Sequence, residues 1–140
     1  YIADKAVKKM VEVGLAPRTA NVVILGLTFK ENCPDIRNSK VYDIIKQLRT
    51  YGIEPKVVDP WADKDDAYIE YGIKLYSIND IKNADCIILA VAHKQFVEDR
   101  VKNIENIFGK YQEHKKVLID VKGIYDIEFL KQSNIYWWRL

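Results

Sequence analysis

The sequence predicts an α/β protein with a doubly wound, mostly parallel Rossmann-like sheet of about five or six strands. Short runs that are apolar almost throughout, Val22-Val23-Ile24-Leu25 and Cys86-Ile87-Ile88-Leu89-Ala90, suit strands buried on both faces. Between such runs apolar residues recur at helical spacing, as in Val41, Ile44, Ile45 and Leu48. Strand and helix alternate along the chain, which favours right-handed crossovers. A length of 140 residues is one domain's worth.

Ile2, Ala6, Val7, Met10 and Val13 mark a first helix that stops at Gly14, and Pro17 and Thr19 mark a link. Residues 21–26 form the first strand, expected at the centre of the sheet. A polar segment, 27–37, contains Pro34; Asn38 or Ser39 caps the next helix, which ends near Tyr51 and Gly52. Residues 53–58 are a second strand, weakened at its centre or pushed towards an edge by Pro55. A turn at Asp59-Pro60-Trp61 leads to a helix over 64–71, ended by Gly72. Residues 73–75 are expected as a short third strand, and Ser77 caps a small helix over 78–83. Residues 85–91 are the strongest strand; 93–108 begin polar and turn helical through Val101, Ile104 and Ile107. A strand over 116–121, a short helix over 127–131 and a last strand over 134–138 complete the chain. Ligands of such sheets sit beyond the carboxyl ends of the strands where strand order reverses. The loops after Gly26, Val58, Val91 and Val121 are therefore the candidate site.

Composition excludes several classes. Apolar residues make up 49% and charged residues 30%, an ordinary globular balance. The 22 Lys and Arg against 20 Asp and Glu leave +2, with no basic footprint for nucleic acid or an anionic membrane. No run approaches the ~20 apolar residues of a membrane span, and no signal peptide pattern is present. Cys33 and Cys86 are too few for a disulfide framework and too isolated for zinc, which suits a reducing, cytoplasmic setting. A start at Tyr1 hints at a piece of something longer.

The segment from Gly26 to Ser39 carries the most chemistry. It is long for a βα loop, usually ~2–6 residues, and long loops there tend to be functional. Lys30 and Arg37 supply cations, Phe29 an aromatic face, and a helix begins where it ends. That combination suits a phosphorylated ligand with a flat base. The alternative is a pair of solvated cations facing Glu31 and Asp35. With Gly26 as its one glycine, the loop is not the Gly-rich turn that holds a dinucleotide pyrophosphate.

Val23-Ile24-Leu25-Gly26-Leu27-Thr28-Phe29-Lys30-Glu31-Asn32-Cys33-Pro34-Asp35-Ile36-Arg37-Asn38-Ser39-Lys40 resembles the start of the C-terminal, UDP-binding domain of the UDP-sugar/GDP-mannose dehydrogenases. Asp59-Pro60-Trp61-Ala62-Asp63, the stretch from Asp85 to His93, Ile119-Asp120-Val121-Lys122-Gly123-Ile124-Tyr125-Asp126 and the closing Trp138-Arg139-Leu140 resemble later motifs in the same order. The wording around Glu31-Asn32-Cys33-Pro34-Asp35 is most similar to the branch acting on UDP-N-acetylhexosamines for surface polysaccharides. The resemblance implies a NAD-dependent, twofold oxidation of a sugar C6 alcohol to a uronic acid. It places the hydride acceptor and the catalytic thiol in an N-terminal Rossmann domain and a central dimerisation segment, whose motifs this sequence lacks. Residues 1–18 then read as helix and link from the central segment, and 19–140 as the UDP-sugar-binding domain, inactive alone. The partners implied are the UDP-sugar, the other domains, and further subunits of a homo-oligomer.

The same resemblance puts Phe29 against the UDP-sugar as an apolar wall and Lys30 as a donor to it; the alternative for Phe29 is the core. Arg37 matches an arginine reaching towards NAD, with a salt bridge to Asp35 or Asp43 as the alternative. Lys122 stands where some members carry a substrate-touching arginine, an ammonium in place of a bidentate fork. Cys33 is not the family's nucleophile, and Cys86 is core. Asp59 is read as a turn former or cap rather than a ribose-binding acid. His93 is read as a ligand contact or a satisfied structural histidine; with His114 as the one other histidine, no metal is expected. Trp61, Trp137 and Trp138 are read as packing or interdomain surface. The competing functions are a stand-alone α/β nucleotide-sensing or signalling module, and a complete small Rossmann protein holding NAD or coenzyme A.

Overall fold

The structure, a computed structural model, describes residues 1–109 and 115–140; His114 lies outside them. Its five strands are β1 (Val22–Leu25), β2 (Lys56–Val58), β3 (Cys86–Leu89), β4 (Val117–Asp120) and β5 (Tyr136–Arg139), in the order β2-β1-β3-β4-β5. Every pairing is parallel, and Leu25 stands level with Val58 on one side and with Leu89 on the other, Leu89 in turn with Asp120. All exits from these strands therefore open on one edge.

The helices are α1 (Ile2–Glu12), α2 (Lys40–Thr50), α3 (Lys64–Tyr71), α4 (Lys94–Val97), α5 (Arg100–Phe108) and α6 (Ile127–Gln132). Alternate strand residues face opposite sides, as the pleat requires. Val22, Ile24, Ile88 and Ile119 meet α1 and α2 on one face; Val23, Leu25, Ile87 and Leu118 meet Phe96, Ile104, Phe108 and Leu130 on the other. Because right-handed crossovers carry the connections from β3 to β4 and β5 to the second face, the first face over β3 and β4 needs another cover. Helix α1 supplies it, with Ala3, Ala6 and Met10 fully buried. Asp4 of α1 accepts from Gln47 Nε2 (2.9 Å) and Tyr51 Oη (2.7 Å), and Tyr136 of β5 donates to Glu12.

The boundaries of α2 and α3 follow their caps. Ser39 Oγ accepts from the Tyr42 N–H, and Asp63 Oδ1 accepts from the N–H groups of Asp65 and Asp66. Gly72, at φ +66°, ends α3. Four expectations change. The middle strand is β3, and β1 is interior beside it, because β1 crosses first to β2 and the chain then returns past it. Residues 73–75 give one parallel bridge, Leu75 to Val57, rather than a strand, since the neighbouring strand β2 is itself short. The small helix over 78–83 contracts to a 3-10 turn at Ile78–Asp80, in a stretch of Asn and Asp that favours turns. The helix within 93–108 splits at Glu98 and Asp99, where Asp99 is left-handed (φ +52°) and Asn103 Nδ2 donates to the carbonyls of Gln95 and Glu98. No helix among the described residues is long and apolar enough to cross a membrane.

Candidate functional site

Strand order reverses between β1 and β3, so the crevice over their carboxyl ends is the topological switch point. The two exits touch there. Gly26 sits at φ +106°, and a Cβ on it would lie 2.5 Å from Val91 Cβ. The loop 26–39 then leaves the sheet, pinned by buried Leu27 at one end and buried Ile36 near the other. Ser39 Oγ donates to the Leu27 carbonyl (2.6 Å), Phe29 N–H to the Asp35 carbonyl (2.7 Å), and the Tyr71 hydroxyl to the Ile36 carbonyl. Between these ties Phe29 and Lys30 project outward, and Phe29 is 57% exposed. The reading in which Phe29 turns into the core gives way, because Leu27 takes the buried position.

Beneath this tip lies a buried polar cluster. Asp59, at the exit of β2, receives the N–H groups of Leu27 (2.6 Å) and Thr28 (3.0 Å) on Oδ2, and those of Trp61 (2.8 Å) and Ala62 (3.0 Å) on Oδ1. The turn-forming role expected of Asp59 is present in the second pair, and the first pair ties β2 to the loop after β1. His93, at the exit of β3, is wholly buried; its Nε2 lies 2.9 Å from Asp59 Oδ2 and 3.0 Å from Thr28 Oγ1. Its Nδ1 accepts the Asn32 N–H at 2.9 Å. A ring nitrogen that accepts carries no proton, so the ring hydrogen is assigned to Nε2, where it faces Asp59 and Thr28. The Thr28 hydroxyl then donates to the Lys30 carbonyl at 3.1 Å. Burial pushes the Asp59 carboxyl up, but the hydrogen bonds from His93 and the Leu27 and Thr28 amides outweigh it and hold it below the ordinary range. The structural alternative for His93 holds.

Lys122 is exposed on the same edge, two strands from β1 and so about 10 Å across the sheet. Its turn is closed by Asp120, whose Oδ1 and Oδ2 accept from Ile124 (3.2 Å) and Tyr125 (3.0 Å). Arg37 is 82% exposed at its side chain and forks onto Asp35, Nε to Oδ1 at 3.0 Å and Nη2 to Oδ2 at 3.1 Å. That hydrogen-bonded fork lowers the Asp35 carboxyl, and Asp43 pairs instead with Lys46 (3.4 Å). Cys33 is partly exposed; Cys86 is buried in the sheet, where desolvation pushes its thiol far up. Trp61 is held by Gln95 and lies against His93. A hollow of about 400 Å³ opens beside β2, lined by Val58, Asp59, Pro60, Leu75, Tyr76 and Phe96 among others; Phe29, Lys30 and Lys122 do not line it.

The Asp59–His93 pair is not legible in the sequence, because its members lie 34 residues apart. The β2-β1-β3 order brings the exits of β2 and β3 to either side of Gly26, and local pattern does not carry that order. A dinucleotide fits these residues poorly. The first turn holds one glycine, and both carboxylate oxygens of Asp59, at the ribose position of a Rossmann domain, are occupied, Oδ2 by the loop after β1 and Oδ1 by the turn after β2.

Fold and site thus define a class: a parallel α/β domain presenting an aromatic-and-cation loop at its switch point. Residues 23–127 match the UDP-glucose/GDP-mannose dehydrogenase family, UDP binding domain, and the chain belongs to that family. It is 38% identical over 137 residues to the UDP-N-acetyl-D-glucosamine 6-dehydrogenase of Salmonella typhi, covering 96% of this chain and 30% of the relative. The enzyme of the same name from Pseudomonas aeruginosa is 44% identical over 126 residues, covering 90% and 29%. Protein CapL of Staphylococcus aureus is 37% identical over 137 residues, covering 98% and 31%. The chain therefore spans about a third of the length of the curated relatives it matches. The fold is shared with an NDP-N-acetyl-D-galactosaminuronic acid dehydrogenase from Methanosarcina mazei, at a TM-score of 0.80 and 16% identity, over 99% of this chain and 28% of that one.

Proposed function

We propose that this chain grips the nucleotide half of a UDP-sugar for a NAD-dependent 6-dehydrogenase, the substrate being UDP-N-acetylglucosamine or UDP-N-acetylgalactosamine. The observation that carries the reading is the tied loop 26–39, which holds Phe29 and Lys30 out over the switch point on the same edge as Lys122. Phe29 offers a flat apolar wall to the ligand, and Lys30 and Lys122 offer ammonium donors to its phosphates. The names of the Salmonella and Pseudomonas relatives support the acetylhexosamine. Binding energy collected here would fix C6 for hydride transfer performed by residues outside this chain. Arg37 would reach towards the NAD held there by exchanging its Asp35 partner, and the product would be a uronic acid for surface polysaccharide made in the cytoplasm. A stand-alone sensing or signalling module is the weaker reading, because β1 ends in Leu25-Gly26-Leu27 with no acid to help hold a metal.

The test is titration of the chain with UDP and with UDP-N-acetylglucosamine, followed by amide shifts and calorimetry. Weak binding is expected, with shifts at Phe29, Lys30 and Lys122 that Lys30→Ala removes. Shifts confined to the hollow beside β2 would overturn the site. Low-micromolar affinity, or turnover with NAD by this chain alone, would overturn the division of labour.

A further inference from the structure

One imidazole ring brackets the tip that carries Phe29 and Lys30. On one side His93 Nε2 faces Thr28 Oγ1 (3.0 Å), and Thr28 passes the bond on to the Lys30 carbonyl (3.1 Å). On the other side His93 Nδ1 takes the Asn32 N–H (2.9 Å). Asn32 is held a second time from the same strand exit, its Oδ1 accepting the Lys94 N–H at 2.8 Å. Residues 29–31 are therefore a short arc between two anchors on the same ring. The ring itself has no freedom. Asp59 Oδ2 fixes its Nε2 (2.9 Å), Trp61 stacks on it at 6.3 Å and 29°, and Phe96 closes in at 5.7 Å. The side chain is wholly buried, although residues 29–32 are exposed.

We infer that His93 is a positioning residue for nucleotide binding: through Thr28 and Asn32 its Nε2–H tautomer sets where Phe29 and Lys30 stand. The inference rests on the function proposed above. An exposed arc left untethered must be ordered when ligand arrives, and that ordering cost weakens binding; a tethered arc is ordered beforehand. Asp59 supports the same device from β2, since the oxygen that fixes the ring also holds the Leu27 and Thr28 amides.

The first measurement uses the unaltered chain, labelled with nitrogen-15. An unprotonated Nδ1 and a scalar coupling across the hydrogen bond from Asn32 N to His93 Nδ1 are expected; a proton on Nδ1 overturns the inference. The second compares His93→Asn, which can present an oxygen acceptor near the place of Nδ1, with His93→Gln, which can present an amide donor near the place of Nε2. In His93→Gln the amides of residues 29–32 should exchange faster, and half-saturation of the Lys30 shift should need roughly tenfold more UDP. His93→Asn should keep Asn32 protected and lose less. The β1 and β3 amides serve as the control for folding. Wild-type exchange and wild-type UDP half-saturation in both variants overturn the inference. If neither variant folds, Thr28→Val removes only the hydroxyl link, and unchanged Lys30 exchange there overturns it. The two readings separate cleanly. No UDP shift in the unaltered chain sinks the nucleotide reading and this inference with it, whereas UDP shifts in the unaltered chain together with wild-type exchange and wild-type half-saturation in both His93 variants sink this inference alone.

Discussion

Asp59 shows how one buried carboxylate can organise a loop edge. Its two oxygens receive the amides of Leu27, Thr28, Trp61 and Ala62 as well as the His93 ring. Replacing it by Asn turns one acceptor into a donor that faces N–H groups, and about 3 kcal/mol of stability should be lost in urea titrations. The pH dependence follows from the lowered carboxyl. A group that ionises more readily folded than unfolded stabilises fully above its unfolded value, here 3.8, and that stability is lost as pH falls through the lower folded value. Wild-type unfolding free energy should therefore drop with acid below about pH 4, and Asp59→Asn should flatten that part of the curve. Gly26→Ala should cost about 2–4 kcal/mol by the same assay. It forces a left-handed φ on alanine and drives a Cβ against Val91. The sequence flagged Gly26, Asp59 and His93 each as ends of strands, but their convergence needed the strand order.

Helix α1 is legible as an amphipathic helix from Ala6 and Met10, yet its place in the fold is a matter of crossover handedness. With β4 and β5 reached by connections on the second face, α1 seals the first face of β3 and β4, and Ala3, Ala6 and Met10 pack into the same core as α2. Helix α1 is thus packed against the sheet of this structure. Met10→Ala should cost about 2–5 kcal/mol in urea, the range for emptying a filled core site. Removing residues 1–12 should expose apolar sheet and raise binding of a hydrophobic dye, with loss of a sharp melting transition. The split between α4 and α5 is not legible, because it rests on the left-handed Asp99 and on Asn103 of the following helix reaching back to the carbonyls of Gln95 and Glu98.

At the scale of the molecule, this chain belongs to the UDP binding domain family and spans about three-tenths of the length of the two UDP-N-acetyl-D-glucosamine 6-dehydrogenases it resembles. Arg37 lies outside the core and its fork closes on Asp35 within the loop, so Arg37→Ala should leave the melting temperature and UDP shifts of this chain unchanged. Its effect should emerge as a raised KM for NAD when the substitution is made in a complete enzyme. Unequal results, with UDP shifts lost in the chain itself, would place Arg37 in the nucleotide grip instead.

Legible in the chain alone were the α/β class, the parallel sheet, a cap for α2 at Asn38 or Ser39, the end of α3 at Gly72, and the loop that carries Phe29 and Lys30. These are local matters: residue periodicity and capping chemistry act within a few turns of chain. It took the folded chain to place β1 between β2 and β3, to bring Asp59 and His93 together under the loop, and to leave Phe29 out while Leu27 goes in. Those outcomes depend on which strands become neighbours and which buried polar groups find partners, and both are settled by contacts between residues far apart in the chain.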